Sequence, residues 1–478
     1  MKLAQFDVNM PALVSTATPG LSLLFFGLLK TRLLPPRISA AVISTTAFLL
    51  PTLVRTPTEP QKWFVFHMLM AYMLLLGLRF IDMGLVESAA PNSFPTLRDY
   101  VESLLTTETR ASRDAKARSL RKRIDNLAEF ISAHESGGSG GKASAAFNNE
   151  VYEARVKMEA LSRLIARTVP RNKQTWRYFG RVAASVAGYY LVLVAGFAFF
   201  VANPPKTDLP VMHLFLFNDA KRAVDLIVIG GMLYSVMQAA YITLFHLSSV
   251  LFDIPFLPLM DNPFISTSPR DFWSNRWNTQ IKESLYRLSF APVMSFLDGS
   301  SGGKRRGTAS RGRTKASDSW WPWASSPRSK SASKTHAGGS KSGSSGARAA
   351  ARRNRELWHT VVASMSAFAL SALVHEYTVF VMLDRPTTLE QTAFFLLHGA
   401  ITVAQVVVGR ACRTALRFDP FARVPAWAFI VLNAAVFLAT SPLFFNPWFR
   451  ENLLMKVSGM LMPPVLVNPL VRMFKSVM

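Results

Sequence analysis

Two features of this chain could do chemistry in an apolar setting. The first is a pair of histidines inside long hydrophobic runs: His375 in SMSAFALSALVHEYTVF and His398 in FFLLHGAITVAQ. Ionisable side chains are costly in hydrocarbon, so those found within a spanning helix mark a function or a matched partner. A neutral imidazole near pH 7 can take a proton as a general base. Ser364, Ser371, His375 and Thr378 follow at spacings of 7, 4 and 3 and so share one helix face. Such a stripe faces another helix or a tunnel rather than lipid. Glu376, ~100° further round the helix, needs a partner of its own. His398 has a comparable stripe with Gln391, Thr402 and Gln405. For His398 the plainer role of interhelical hydrogen bonding outweighs chemistry; for His375 chemistry outweighs it. His67 has no polar stripe beside it, and His359 sits at a span end, where snorkelling is reason enough.

The second feature is SPRDFWSNRWN, Ser268 to Asn278, which mixes aromatic, cationic, carboxylate and amide side chains. Ser268, then Pro269, then Asp271 is close to a capping box with proline at the first helical position, so a helix starting at Pro269 is expected. On a continuous helix Asp271, Asn275 and Asn278 fall within about 60° of one another, with Trp273, Trp277, Ile281 and Leu288 opposite. That predicts an interfacial helix, aromatic side on apolar surface and amide–carboxylate side towards a polar site. Aromatics with Arg also describe a simple interfacial anchor, but an anchor does not explain the Asp-Asn-Asn stripe.

The elements that must hold these residues are membrane helices. The chain has 478 residues, half of them hydrophobic and 17% charged. Runs of ~20 apolar residues span a bilayer core. Candidate spans lie near 10–29, 38–54, 63–84, 181–202, 223–252, 357–383, 389–408, 425–444 and 456–473, the last broken by Pro463, Pro464 and Pro469. The expected fold is an all-α integral membrane protein, a polytopic bundle of eight or nine transmembrane helices with cytosolic loops, one long and disordered. The first apolar run lacks a basic leader and an evident cleavage site and reads as a retained span.

The formal charge of +25 points to membrane faces rather than nucleic acid. Segment 299–355 holds 14 Lys/Arg and one acid, Asp318, amid Ser, Gly and Ala. Such a composition cannot bury a core, so disorder is expected; WWPW (Trp320–Trp323) is its apolar exception. Loops 30–37, 86–180, 253–356 and 409–424 carry the Lys/Arg excess and are expected to share the cytosolic side. The organisation is thus 1–85, N-terminal spans; 86–180, a hydrophilic segment with an amphipathic helix at 151–165; 181–298, spans plus the motif helix; 299–355, the insertion; and 356–478, spans carrying His375. Cys412 is the one cysteine, which excludes an intrachain disulfide and a cysteine-based zinc site.

DFWSNRWN followed, after a long loop, by SALVHE in a span resembles the wax synthase-like branch of the membrane-bound O-acyltransferases, over roughly 250–410. The insertion departs from the family pattern. The resemblance implies acyl transfer from acyl-CoA to the hydroxyl of a lipophilic alcohol in the endoplasmic reticulum membrane, with no cofactor and no metal. It implies His375 as general base and Asn278 as the amide that positions the acceptor or stabilises the oxyanion. Arg270, Arg276, Trp273 and Trp277 would line the CoA entrance, Arg suiting phosphate. Asp271, Asn275, Ser371 and His398 complete the candidate substrate-contacting set. Acyl-CoA, the alcohol and membrane lipids are the expected partners, and nucleic acid is not. Competing readings are a transporter whose polar stripes line a path, and a structural protein binding anionic lipids through its basic loops.

Overall fold

A computed structural model describes residues 10–53, 76–89, 91–106, 118, 121–122, 124–129, 131–132, 176–215, 217–252, 259–299, 342–383, 387–415, 424–452 and 464–477. Among them there are helices and loops and no strand. The expected amphipathic helix at 151–165, most of the span 63–84 and residues 300–341 of the insertion, including WWPW, lie outside the described residues.

The N-terminal helices are α1 (Met10–Thr31), α2 (Pro36–Leu53), α3 (76–89) and α4 (Leu97–Thr106). Phe25, Leu29, Ile43, Phe80, Met83 and Tyr100 form their core. Gly84 sits where α3 crosses α2: a Cβ there would lie 2.3 Å from the Ala40 Cβ, so the crossing depends on its absence. A second group is α5 (Trp176–Ala202) and α6 (Ala220–Phe252), which pack together. Then come α7, which starts at Pro269–Asp271, and α8, which runs from Thr279–Leu285 through a π-helical turn, Tyr286–Phe290, into Ala291–Gly299. The chain ends with α9 (Ser342–Leu383), α10 (Glu390–Ala415), α11 (Ala426–Arg450) and α12 (Pro464–Val477).

Five of these helices are long and apolar enough to cross a membrane: Phe179–Ala202, Ala220–Thr243, Asn354–Val381, Glu390–Cys412 and Ala426–Arg450. Gly20–Thr31 and Pro36–Leu50 are apolar but shorter. At ~1.5 Å per residue, the 14 residues of α12 reach ~21 Å, short of a bilayer core.

Composition placed the whole of 299–355 in a disordered insertion; residues 342–355 instead belong to α9. The reason is local. GARAAARRNREL is built from Ala and Arg, which rank high in helix propensity, and it is continuous with an apolar helix that removes the cost of nucleation. The 42 residues of α9 extend ~63 Å, about twice a bilayer core, so the helix projects well beyond it.

A charge network ties α3 to α8. Asp82, fully buried, accepts from Arg287 Nη2 at 2.6 Å and is also bonded by Arg287 Nε and Arg79 Nη1. Arg287 also donates to Glu283 at 2.9 Å, and Arg79 to Ser284 at 3.0 Å. Arg79 further bonds the carbonyls of Ser103 and Leu104, in the last turn of α4, where unpaired carbonyls seek donors. Two cations and two anions balance. Fixing α8 this way fixes the segment just before it, which is the motif.

Candidate active site

The motif begins as its residues demand. Ser268 is extended and its hydroxyl accepts from the Asp271 amide at 3.1 Å, with Pro269 at the first helical position. After one turn the backbone widens into a π-helix, Phe272–Arg276. Trp277 N donates to Phe272 O at 2.9 Å, and their rings stack at 5.1 Å and 17°. The wider turn is what allows residues five apart to stack. Lys282 Nζ reaches back to the Ser274 carbonyl at 2.7 Å, covering an acceptor inside that turn.

The continuous helix through Asn278 does not form. Trp277 is extended (φ −91°, ψ 131°) and Asn278 is left-handed (φ 40°, ψ 65°). Asn tolerates that region better than most residues. Its Oδ1 accepts from the Ile281 amide at 3.3 Å, so Asn278 is the N-cap of α8. The proposed Asp271–Asn275–Asn278 stripe is therefore cut to its first two members. Asp271 Oδ1 accepts from Asn275 Nδ2 at 2.9 Å and its Oδ2 from Arg276 Nε at 2.7 Å. Arg276 also donates to the carbonyls of Asp261 and Asn262 at 3.2 and 3.3 Å. Its guanidinium is thus engaged in holding the segment before the motif. Arg270 approaches α10 through its backbone, with its amide 3.4 Å from Gln405 Oε1.

Trp273 points into the junction of α9, α10 and α11. Its indole meets Phe368 of α9, Phe394 and Phe395 of α10 and Phe437 of α11, at centroid distances of 5.7 to 6.3 Å. The rings meet tilted or edge-on, the arrangements their quadrupoles favour. Its Nε1 donates to His398 Nδ1 at 3.2 Å, and His398 Nε2 lies 2.8 Å from Thr440 Oγ1. His398 has no exposed surface; both of its nitrogens are taken up within the protein. Close approach of α9 to α10 here needs Gly399, where a Cβ would lie 2.9 Å from Phe368 Cγ.

His375 is placed differently. Its ring stacks on Phe395 at 4.3 Å and 25° and meets Phe444 of α11 at 5.6 Å. No hydrogen bond engages its nitrogens among the described residues. Glu376 finds the partner it requires in α10: its carboxylate accepts from the Thr392 amide and hydroxyl at 2.8 and 2.9 Å, filling free donors of the first helical turn. Ser364 bonds back to the Thr360 carbonyl at 2.6 Å. Ser371 is partly buried on the same helix.

The structure therefore brings Trp273 and His398 into direct contact and links them to His375 through Phe395. It does not join Asn278 to His375 by any hydrogen bond. Sequence reasoning missed Thr440 and the Asp82 network. Arg79 and Asp82 inside the run 63–84 carried the same signal as the histidines, a charge where charge is costly; Thr440 carried none. Among the described residues no three His, Cys, Asp or Glu side chains gather as a metal would need.

No family model matches the chain. It is similar to probable long-chain-alcohol O-fatty-acyltransferase 7 of Arabidopsis thaliana, 24% identical over 254 residues, which cover 52% of this chain and 58% of that one. To probable long-chain-alcohol O-fatty-acyltransferase 1 of the same plant it is 24% identical over 201 residues, 42% and 43% of the two chains. To the long-chain-alcohol O-fatty-acyltransferase of Simmondsia chinensis it is 23% identical over 154 residues, 32% and 29%. The chain thus spans between 29% and 58% of the length of these relatives.

Proposed function

We propose that this protein is a membrane-bound acyltransferase of the wax synthase-like branch of the membrane-bound O-acyltransferases. In this reading it moves an acyl group from acyl-CoA to the hydroxyl of a lipophilic alcohol. The observation that carries it is the state of the His375 imidazole. Among the described residues it is held by ring contacts, with no hydrogen bond to its nitrogens, beside a junction filled by Trp273 of the motif. The relatives' names, long-chain-alcohol O-fatty-acyltransferases, point to the same chemistry.

The steps follow from what a free imidazole can do. His375 takes the proton of the acceptor hydroxyl as its oxygen attacks the thioester carbonyl. The C–O bond forms, the C–S bond breaks, and the CoA thiolate recovers a proton from the imidazolium. An alcohol is a poor nucleophile near pH 7, and general-base assistance contributes ~10²–10⁴-fold. The Asn278 Nδ2, not engaged by the capping bond of Oδ1, supplies the donor assigned to the oxyanion. Arg270 and the exposed Asn275 line the approach from the basic side of the membrane.

We further propose that the chain crosses the endoplasmic reticulum membrane eight or nine times, with loops 30–37, 86–180, 253–356 and 409–424 in the cytosol, where Lys/Arg excess is retained. A transporter is the weaker reading: both His398 nitrogens and a Glu376 carboxylate oxygen are spent on neighbouring residues and helices instead of a path.

The test is transfer of labelled acyl groups from acyl-CoA to fatty alcohols of several chain lengths, by purified protein in vesicles. Ester formation that His375→Ala abolishes, at matched protein level, supports the reading. Absence of any ester from the wild type, or a fully active His375→Ala, overturns it.

A further inference from the structure

His398 and Thr440 are not consumed by the chemistry above, yet they are among the most deeply buried polar groups near it, with no exposed surface and 5% respectively. The indole N–H of Trp273 can only donate, so His398 Nδ1, 3.2 Å away, must accept and carries no proton. The Thr440 hydroxyl is 2.9 Å from the Val436 carbonyl, one turn back on α11, and donates there. Its oxygen therefore accepts from His398 Nε2–H at 2.8 Å. The chain of donors runs one way, from Trp273 to His398 to Thr440 to the α11 backbone. In this state His398 is uncharged, with a fixed tautomer and no free lone pair, so it is not itself a base.

The sequence supports α11 at this point in an unusual manner. Pro442 lies inside the helix and removes the amide that would bond the Leu438 carbonyl; Ser441 Oγ donates to that carbonyl at 2.8 Å instead. Thr440 thus stands just before a break in the α11 ladder, where its position is set by side chains as much as by the helix.

The other side of Trp273 faces the candidate base. Its ring lies 5.7 Å from Phe395, and Phe395, 3% exposed, is the surface on which His375 stacks at 4.3 Å. With no hydrogen bond to its nitrogens among the described residues, His375 is oriented by that stack and by Phe444. We propose that Trp273, His398 and Thr440 form a positioning relay that locks the motif to α10 and α11 and thereby sets, through Phe395, the orientation of the His375 ring. The inference rests on the assignment of His375 as the base. It gives the motif tryptophan a role in aligning the reaction, distinct from lining an entrance.

Amide substitutions separate the two hydrogen bonds of His398. The Oδ1 of asparagine falls near the place of Nδ1 and still accepts from Trp273. The amide of glutamine falls near Nε2 and reaches Thr440 instead. Phenylalanine keeps bulk and neither bond. Full-length protein in detergent is assayed with labelled acyl-CoA and a fatty alcohol. Misplacement of a reacting group by ~1 Å can cost ~10²-fold. Trp273→Phe and His398→Phe should each lower kcat by ~10–10²-fold, with KM for acyl-CoA nearly unchanged. The double variant should be no worse than either single one, and His398→Asn should recover most of the rate while His398→Gln does not.

A fully active Trp273→Phe beside an inactive His375→Ala overturns the relay alone, as does multiplication of the two single losses. An active His375→Ala overturns the base assignment and the relay with it. A readout independent of turnover is the histidine nitrogen spectrum of ¹⁵N-labelled protein. The signals lost in His398→Asn should be those of a bare Nδ1 and a protonated Nε2, and a protonated Nδ1 overturns the relay even if Trp273→Phe or His398→Phe fails to fold.

Discussion

Replacing Asp82 with alanine removes the carboxylate that Arg79 and Arg287 share. The network then changes from two cations and two anions to two cations and Glu283 alone. Losing one partner of a buried ion pair costs about 3–5 kcal/mol, because the remaining charge stays desolvated. The Arg287 side chain is 26% exposed, so water shares part of its charge, while that of Arg79 is 11% exposed. That places the loss near the lower end, about 3 kcal/mol, or ~10²-fold in the folded population. The assay is reversible unfolding by SDS titration in mixed micelles, followed by tryptophan fluorescence. The double variant Asp82→Leu with Arg287→Leu leaves one cation and one anion and should recover part of the loss, since balanced replacement of buried pairs is often neutral. An Asp82→Ala protein within about 0.5 kcal/mol of wild type would refute the reasoning, as it would mean that both guanidiniums find water when Asp82 is gone.

Other outcomes follow from single contacts. Asn278→Asp keeps the α8 cap and a residue tolerant of left-handed backbone but loses the Nδ2 donor; it should fold normally and lose ~10²–10³-fold in rate, and a fully active protein would remove Asn278 from the oxyanion role. Glu376→Ala should destabilise by about 1–3 kcal/mol because the Thr392 amide and hydroxyl lose their acceptor, whereas Glu376→Gln should cost less, both measured in the same unfolding titration. Gly399→Ala should cost about 1–3 kcal/mol and depress activity, since its Cβ would meet Phe368 beside Trp273. Replacing 300–341 by a short Gly/Ser linker should leave transfer nearly intact, whereas extending the deletion into α9 at Ser342 should not; equal activity of both deletions would show that the helical extension is dispensable.

Hydrophobic run length and the types of its interruptions already carried much of this protein. Apolar runs of ~20 residues announce helices that can cross a membrane, and five of them stand where the sequence put them. Ser268, Pro269 and Asp271 announced a helix start, because capping is a contact between residues three apart. His375 and His398 stood out because charge is costly in hydrocarbon. What the sequence could not carry was anything that depends on a partner far along the chain. Helical periodicity extended the motif through Asn278, but the Phe272–Trp277 stack and the αL cap at Asn278 broke it, where the backbone on either side pairs with Leu259 and Asp261 of the preceding segment and Phe272 meets Phe437 of α11. The polar stripes already favoured chemistry for His375 and interhelical bonding for His398, and the tertiary contacts name the partners. Trp273 and Thr440, 125 residues before and 42 after it, bond the His398 nitrogens, while among the described residues His375 meets only rings, those of Phe395 and Phe444. The balance of Arg79, Asp82, Glu283 and Arg287 likewise joins positions about 200 apart. Local sequence sets what each turn of backbone prefers; which polar atoms are left free for chemistry depends on how distant helices spend the rest.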